Sequence, residues 1–130
     1  MAVAPEKGIT VPVVKDADQK GISQIADETS DLIGWDREGT LTSADVNGGT
    51  YTISNLCPFG VEQINALINP PEAGIFAVGS TTSEVISLPD GVIAIRPIVR
   101  FTLSADHRIV DGAGAASFFA DLKTILENQT

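Results

Sequence analysis

The chain has 130 residues and a formal net charge of −9, long enough for one domain and too acidic overall to seek phosphate backbones or anionic lipid surfaces. Hydrophobic residues make up 43% and charged residues 19%, so a single core burying roughly two-thirds of the unfolded surface is expected, built on Val, Ile, Leu and Ala because aromatic residues are only 5%. No apolar run approaches the ~20 residues of a membrane helix, and the N-terminus lacks the charged-then-apolar layout of a secretory leader.

Residues 9–14 are β-rich, and Pro12 predicts a sheet edge or a bulge. A helix is predicted over 21–35, because Ile22, Ile25, Ala26, Thr29, Leu32 and Ile33 recur at helical spacing. Residues 36–39 end it, Gly39 being suited to a left-handed cap. Residues 42–45 read as a short capped turn, and Gly48-Gly49 punctuates before the next element. Residues 50–54 alternate and are β-branched, which predicts a strand; residues 55–60 follow as an irregular loop. Pro70 and Pro71 keep 68–71 out of regular structure. Residues 74–79 read as a buried strand with almost no polar content. The turn Pro89-Asp90-Gly91 separates a strand over 84–88 from a long strand over 92–104. Asp111 and Gly112 open a final helix running to about Glu127, with Ala115, Phe118, Phe119, Leu122, Ile125 and Leu126 as its apolar face. Lys123 and Glu127 sit outside that face at i,i+4 spacing. Strands and helices mix without strict βαβ alternation, so the predicted class is α+β, a mixed β-sheet with flanking helices.

His107 is the only histidine and lies in the loop between the long strand and the last helix. A loop held between two rigid elements is a usual place for chemistry. A neutral imidazole, with an unperturbed pKa of about 6.5, takes a proton from a thiol near neutral pH. Asp111 stands four residues on, where its carboxylate favours the helix dipole and locks the loop. Taken alone, these residues read more plainly as structure: His107 as a loop histidine that caps or packs, Asp111 as an ordinary helix-start acid, Ser54 as a strand serine. Cys57 is the only cysteine, which excludes an internal disulfide and points to a reducing compartment. It reads as a small buried hydrophobe, since no helix start or cation is evident to activate it. One His and one distant Cys do not make a zinc site. An anionic substrate would draw its local positive charge from Lys7, Arg96, Arg100 or Arg108.

Residues 106–112, Asp-His-Arg-Ile-Val-Asp-Gly, resemble the His-x-x-x-Asp-Gly signature of the dihydrolipoyl acyltransferases, the core components of 2-oxo acid dehydrogenase complexes. The same signature marks the chloramphenicol acetyltransferase-like fold. Three further blocks are similar to that family in the same order: residues 6–14, residues 48–56, and residues 59–61 with 68–73. The resemblance covers nearly the whole of 1–130, read as the C-terminal part of the acyltransferase catalytic domain. It implies transfer of an acyl group between dihydrolipoamide and coenzyme A, both as substrates, with the lipoyl group not attached to this chain and no metal. It implies His107 as general base on the thiol, Ser54 as donor to the tetrahedral oxyanion, and Asp111 as the residue that holds the histidine loop in shape. It further implies a homotrimer or higher core assembly with the site between subunits, the other components of such a complex as partners, and a bacterial cytoplasmic or mitochondrial matrix location. Relatives usually carry glycine and a bulky apolar residue where this chain has Cys57-Pro58. The alternative reading is a non-catalytic, trimer-forming scaffold subunit that keeps the motif without the channel.

Overall fold

The computed structural model describes residues 8–128; Lys7 and the start of the 6–14 block lie outside them. Five short strands form: β1 (Thr52–Asn55), β2 (Gly74–Val78), β3 (Thr82–Ser87), β4 (Ile93–Ile98) and β5 (Phe101–Ala105). The first sheet has the order β1-β2-β5, with β2 parallel to β1 and antiparallel to β5. β2 is apolar on both faces, as a central strand requires, and Ile75, Phe76 and Ala77 are buried. The α+β class and the mixed sheet are as expected.

The single strand expected over 92–104 is two strands in two sheets. β4 pairs with β3 as a separate antiparallel hairpin, closed by Leu88 N–H donating to Val92 O at 2.8 Å and by Gly91 at φ 81°. The chain then turns a corner and joins β2 as β5. Gly79 N–H donates to Arg100 O at 2.9 Å at that corner, and the Arg100 guanidinium reaches back to Glu84 on β3, Nη2 to Oε2 at 2.8 Å. Each half of the span has a different partner, while the β-rich composition runs through the corner without a break.

Among the described residues three α-helices accompany the strands: α1 (Ile22–Glu38), α2 (Ser43–Val46) and α3 (Gly112–Glu127). α1 runs three residues past its predicted end and stops at Gly39, whose φ of 71° is the left-handed cap the sequence asked for. α2 is the predicted capped turn, with Thr42 N–H donating to Asp45 Oδ2 at 2.8 Å. Residues 9–14 do not form a strand; only Thr10 makes an isolated bridge. Polar anchors hold that segment against the helices instead: Thr10 Oγ1 donates to the buried Asp36 Oδ1 at 2.6 Å, and Val13 N–H to Asp45 O at 2.8 Å. On the other side, α3 meets the sheet through Phe119, edge-on to Phe76 at 6.2 Å, while Phe76 stacks on Phe101 at 5.2 Å. The buried core is mainly aliphatic, as expected, with Leu32, Ile75 and Ala77, and the ring of Phe76 joins it.

The core is thin. Among the described residues the buried hydrophobic side chains are Leu32, Ile75, Phe76 and Ala77. The chain exposes 9183 Å², whereas a compact monomer of its mass exposes roughly 6,600 Å². The excess, about 2,600 Å², is open surface of a size that further polypeptide ordinarily covers. It is apolar where it matters. Val85, Ile93 and Ile95 share one face of the β3–β4 hairpin and are all about seven-tenths exposed, and Phe118, Ile125 and Leu126 of the predicted apolar helix face are also open.

One buried polar contact ties the proline-rich loop to β1. Thr52, 1% exposed, donates its hydroxyl to the carboxylate of Glu72, 7% exposed. Gly49 must lie beside it, since a Cβ there would come 2.8 Å from Glu72 Oε1. Replacing Thr52 with Val leaves a buried carboxylate short of a donor. The expected outcome in urea unfolding is a loss of about 1–3 kcal/mol of stability; an unchanged midpoint would show that Glu72 does not depend on this hydroxyl.

Candidate active site

The chain leaves β5 at Ala105 and enters a tight loop whose hub is Asp106. Its backbone N–H donates to Ala73 O at 2.9 Å, and its carbonyl accepts from Ile109 N and Val110 N, each at 2.9 Å. Its side chain accepts from the backbone N–H of Arg108 at 3.0 Å, and grips the Arg108 guanidinium through Nε at 3.0 Å and Nη2 at 2.6 Å. Every polar group of Asp106 is thus engaged. His107 stands between the two clamped residues with its side chain exposed. Asp111 closes the loop as the N-cap of α3, its Oδ1 accepting from Gly114 N at 2.7 Å, a capping bond that holds the helix start where the loop ends.

Ser54 lies on β1, half-buried, on the same face as the buried Thr52. Beyond it Asn55 Oδ1 accepts from Cys57 N at 2.9 Å, and Cys57–Phe59 form a single 3-10 turn that ends at Gly60, φ 69°. Cys57 is exposed, contrary to the buried role expected of it, because it opens this turn at the end of β1 instead of lying inside an element.

The register of the sheet decides which of these residues meet. Ser54 is level with Ala77 on β2, and Ala77 with Thr102 on β5. Gly74, at the start of β2, is level with Ala105, beyond which His107 lies. Ser54 is therefore near one end of the sheet and His107 past the other. Three residues along the strand and two strands across separate Ser54 from Ala105 by about 14 Å. Within one chain His107 and Asp111 lie on the same loop, four residues apart, and Ser54 lies elsewhere in the sheet. Of the expected cations, Arg100 and Arg108 are committed to Glu84 and Asp106, and Arg96 is exposed on β4.

Sequence reasoning gave no role to Asp106 or Glu72. For Asp106 a signal existed, since Asp and Asn accept from the backbone two residues on and so build turns; nothing local marks Glu72.

The Arg108 side chain, and after it the Arg108 backbone N–H, hold the Asp106 carboxyl down at about 2. Because the folded value is depressed, the stabilisation is fully present above the ordinary value of 3.8 and is lost as pH falls through about 2. A carboxyl-carbon NMR titration of Asp106 is expected to show its midpoint near 2; a midpoint at the ordinary aspartate value would mean that the fork does not form in solution.

Comparison with known proteins places this loop in a wider group. The family model for the 2-oxoacid dehydrogenases acyltransferase (catalytic domain) matches residues 1–130. The dihydrolipoyllysine-residue acetyltransferase component of the pyruvate dehydrogenase complex of Rickettsia bellii is 44% identical over 98% of this chain and 30% of its own length. The dihydrolipoyllysine-residue succinyltransferase component of the 2-oxoglutarate dehydrogenase complex of the same organism is 41% identical over 98% of this chain and 32% of its own length. The crystal structure of the dihydrolipoamide acetyltransferase of Azotobacter vinelandii superposes with a TM-score of 0.92 at 31% identity, covering 98% of this chain and 52% of that one. In that enzyme a serine, a histidine and an asparagine have a role in the catalytic mechanism. The chain thus spans about a third of the curated relatives it matches and half of the solved one. It belongs to the family of the 2-oxoacid dehydrogenase acyltransferase catalytic domains.

Proposed function

We propose that this chain is the C-terminal part of an acyltransferase catalytic domain that passes an acyl group between dihydrolipoamide and coenzyme A. His107 accepts the proton of the incoming thiol. The thiolate attacks the thioester carbonyl directly, and the hydroxyl of Ser54 donates to the oxyanion of the tetrahedral adduct. Collapse of the adduct expels the second thiolate, which recovers the proton from His107. Asp111 fixes the end of the histidine loop by capping α3. The observation that carries this reading is the exposed imidazole at the head of a turn whose neighbours are clamped on both sides.

In the same reading Ser54 and His107 come from neighbouring copies, in a homotrimer or larger core. Two findings support that arrangement: the sheet register separates the two residues within one chain, and the chain exposes more surface than a monomer of its mass should. The spacing supports the residue roles. In the Azotobacter vinelandii enzyme the asparagine follows the histidine by four residues, as Asp111 follows His107, and its serine precedes the histidine by the same interval as Ser54 to within one residue. Asparagine and aspartate are near-equivalent helix caps. The acetyl and succinyl relatives are about equally similar, so the acyl group is left open. The natural partners would be the other components of a 2-oxo acid dehydrogenase complex.

A second reading, a non-catalytic scaffold subunit of such a core, is favoured by one observation: the apolar face of the β3–β4 hairpin is open, as a surface for assembly would be. Acetyl transfer from acetyl coenzyme A to dihydrolipoamide separates the two. The enzymatic reading expects His107→Ala to abolish turnover and Ser54→Ala to lower kcat about 10²–10³-fold. A parent chain no faster than His107→Ala would leave the scaffold.

A further inference from the structure

The residue that orders the imidazole is a separate question from the one that caps the helix after it. Asp111 spends its side chain on Gly114 N, in the first turn of α3. Asp106 spends four groups on the turn itself: the N–H that anchors it to Ala73 at the mouth of β2, the carbonyl that closes it onto Ile109 and Val110, and two carboxylate oxygens on Arg108. His107 is the one residue enclosed between the clamp's jaws, and its φ/ψ is fixed from both sides. Arg108 is the exposed partner, its side chain 89% exposed, against 17% for that of Asp106. The clamp therefore works outward from Asp106, which the sheet holds, to Arg108, which the solvent would otherwise take.

We propose that Asp106 is the positioning residue for His107, setting the direction in which the imidazole leaves the loop, and that Arg108 serves as the brace of that clamp and not as a contact for an anionic substrate. This rests on the acyltransferase reading for its consequence in turnover, but not for its geometry. Two parts of the clamp are separable. The carboxylate oxygen that accepts from the Arg108 backbone shapes the turn, as an amide oxygen would. The paired guanidinium bonds need the charge and the fork geometry. A guanidinium held along its Nε–Nη2 edge by a carboxylate has that edge occupied and its charge matched, which makes it a poorer contact for a phosphate.

The test compares Asp106→Ala, Asp106→Asn, Arg108→Ala and His107→Ala with the parent chain, in acetyl transfer with each thiol substrate varied. Asp106→Ala is expected to lower kcat about a hundredfold, the scale of a small misplacement of a catalytic group, with KM for both substrates within about twofold of the parent. Asp106→Asn, which keeps the turn-forming oxygen and the side-chain shape, is expected to restore kcat to within about tenfold. Arg108→Ala is expected to leave KM for coenzyme A in the same twofold range. A second readout is independent of turnover. His107 is the only histidine, so a histidine-labelled sample gives one ring signal without further assignment. A single narrow ring signal in the parent that broadens or splits in Asp106→Ala supports the proposal. Parent-like kcat and ring signal in Asp106→Ala overturn it, and so does a KM for coenzyme A that rises in Arg108→Ala. If the parent turns over no faster than His107→Ala, the acyltransferase reading fails, and the ring signal alone decides whether Asp106 orders the imidazole.

Discussion

The pairing of β2 with β1 on one side and β5 on the other governs where chemistry is possible in this chain. Because β1 runs parallel to β2 while β5 runs against it, the ends of β1 and β5 point in opposite directions. The hydroxyl of Ser54 and the imidazole of His107 are sent to opposite ends of one sheet. About 14 Å already separates Ser54 from Ala105, two residues before His107, so the proposed reaction, which uses both groups, would draw them from two chains. The one-sided pattern of β1 supports this register, since a slip by one residue would turn the buried Thr52 and its contact with Glu72 outward.

The surface tells a related story. A core of four buried hydrophobic side chains among the described residues is small for a chain of this length, and the hairpin of β3 and β4 carries Val85, Ile93 and Ile95 on a face that none of the described residues covers. Two-stranded ribbons of this kind are marginal on their own. Association would shield that face and, in the same step, could complete a site from residues that a single chain keeps apart. Stability and activity would then share a cause.

Much of this was legible in the sequence, and the failures have physical reasons. α1 with its Gly39 cap, the capped turn at Thr42, β2 and the Asp111-capped α3 were all read from local chemistry, because periodicity and capping are local properties. The corner between β4 and β5 was not, since strand partners are chosen over long range and both halves have the same β-rich composition. Residues 9–14 look like a strand but are held by Asp36 and Asp45, whose positions depend on the fold. The thin core escaped composition altogether: 43% hydrophobic residues say how much can be buried, not whether one chain does it. At the candidate site, His107 and Asp111 stood out through their motif, whereas Asp106 passed as one more letter of it until its hydrogen bonds could be followed.

The proposed site pairs the histidine of one chain with the serine of another. It is tested most directly by assembling His107→Ala chains together with Ser54→Ala chains and assaying acyl transfer. Each variant alone lacks one group at every site. A site shared between chains predicts that mixed assemblies regain turnover well above either variant, since some interfaces then pair an intact His107 with an intact Ser54. A mixture no more active than its two components would place the whole site within one chain, against the register of the sheet, and would contradict the proposal.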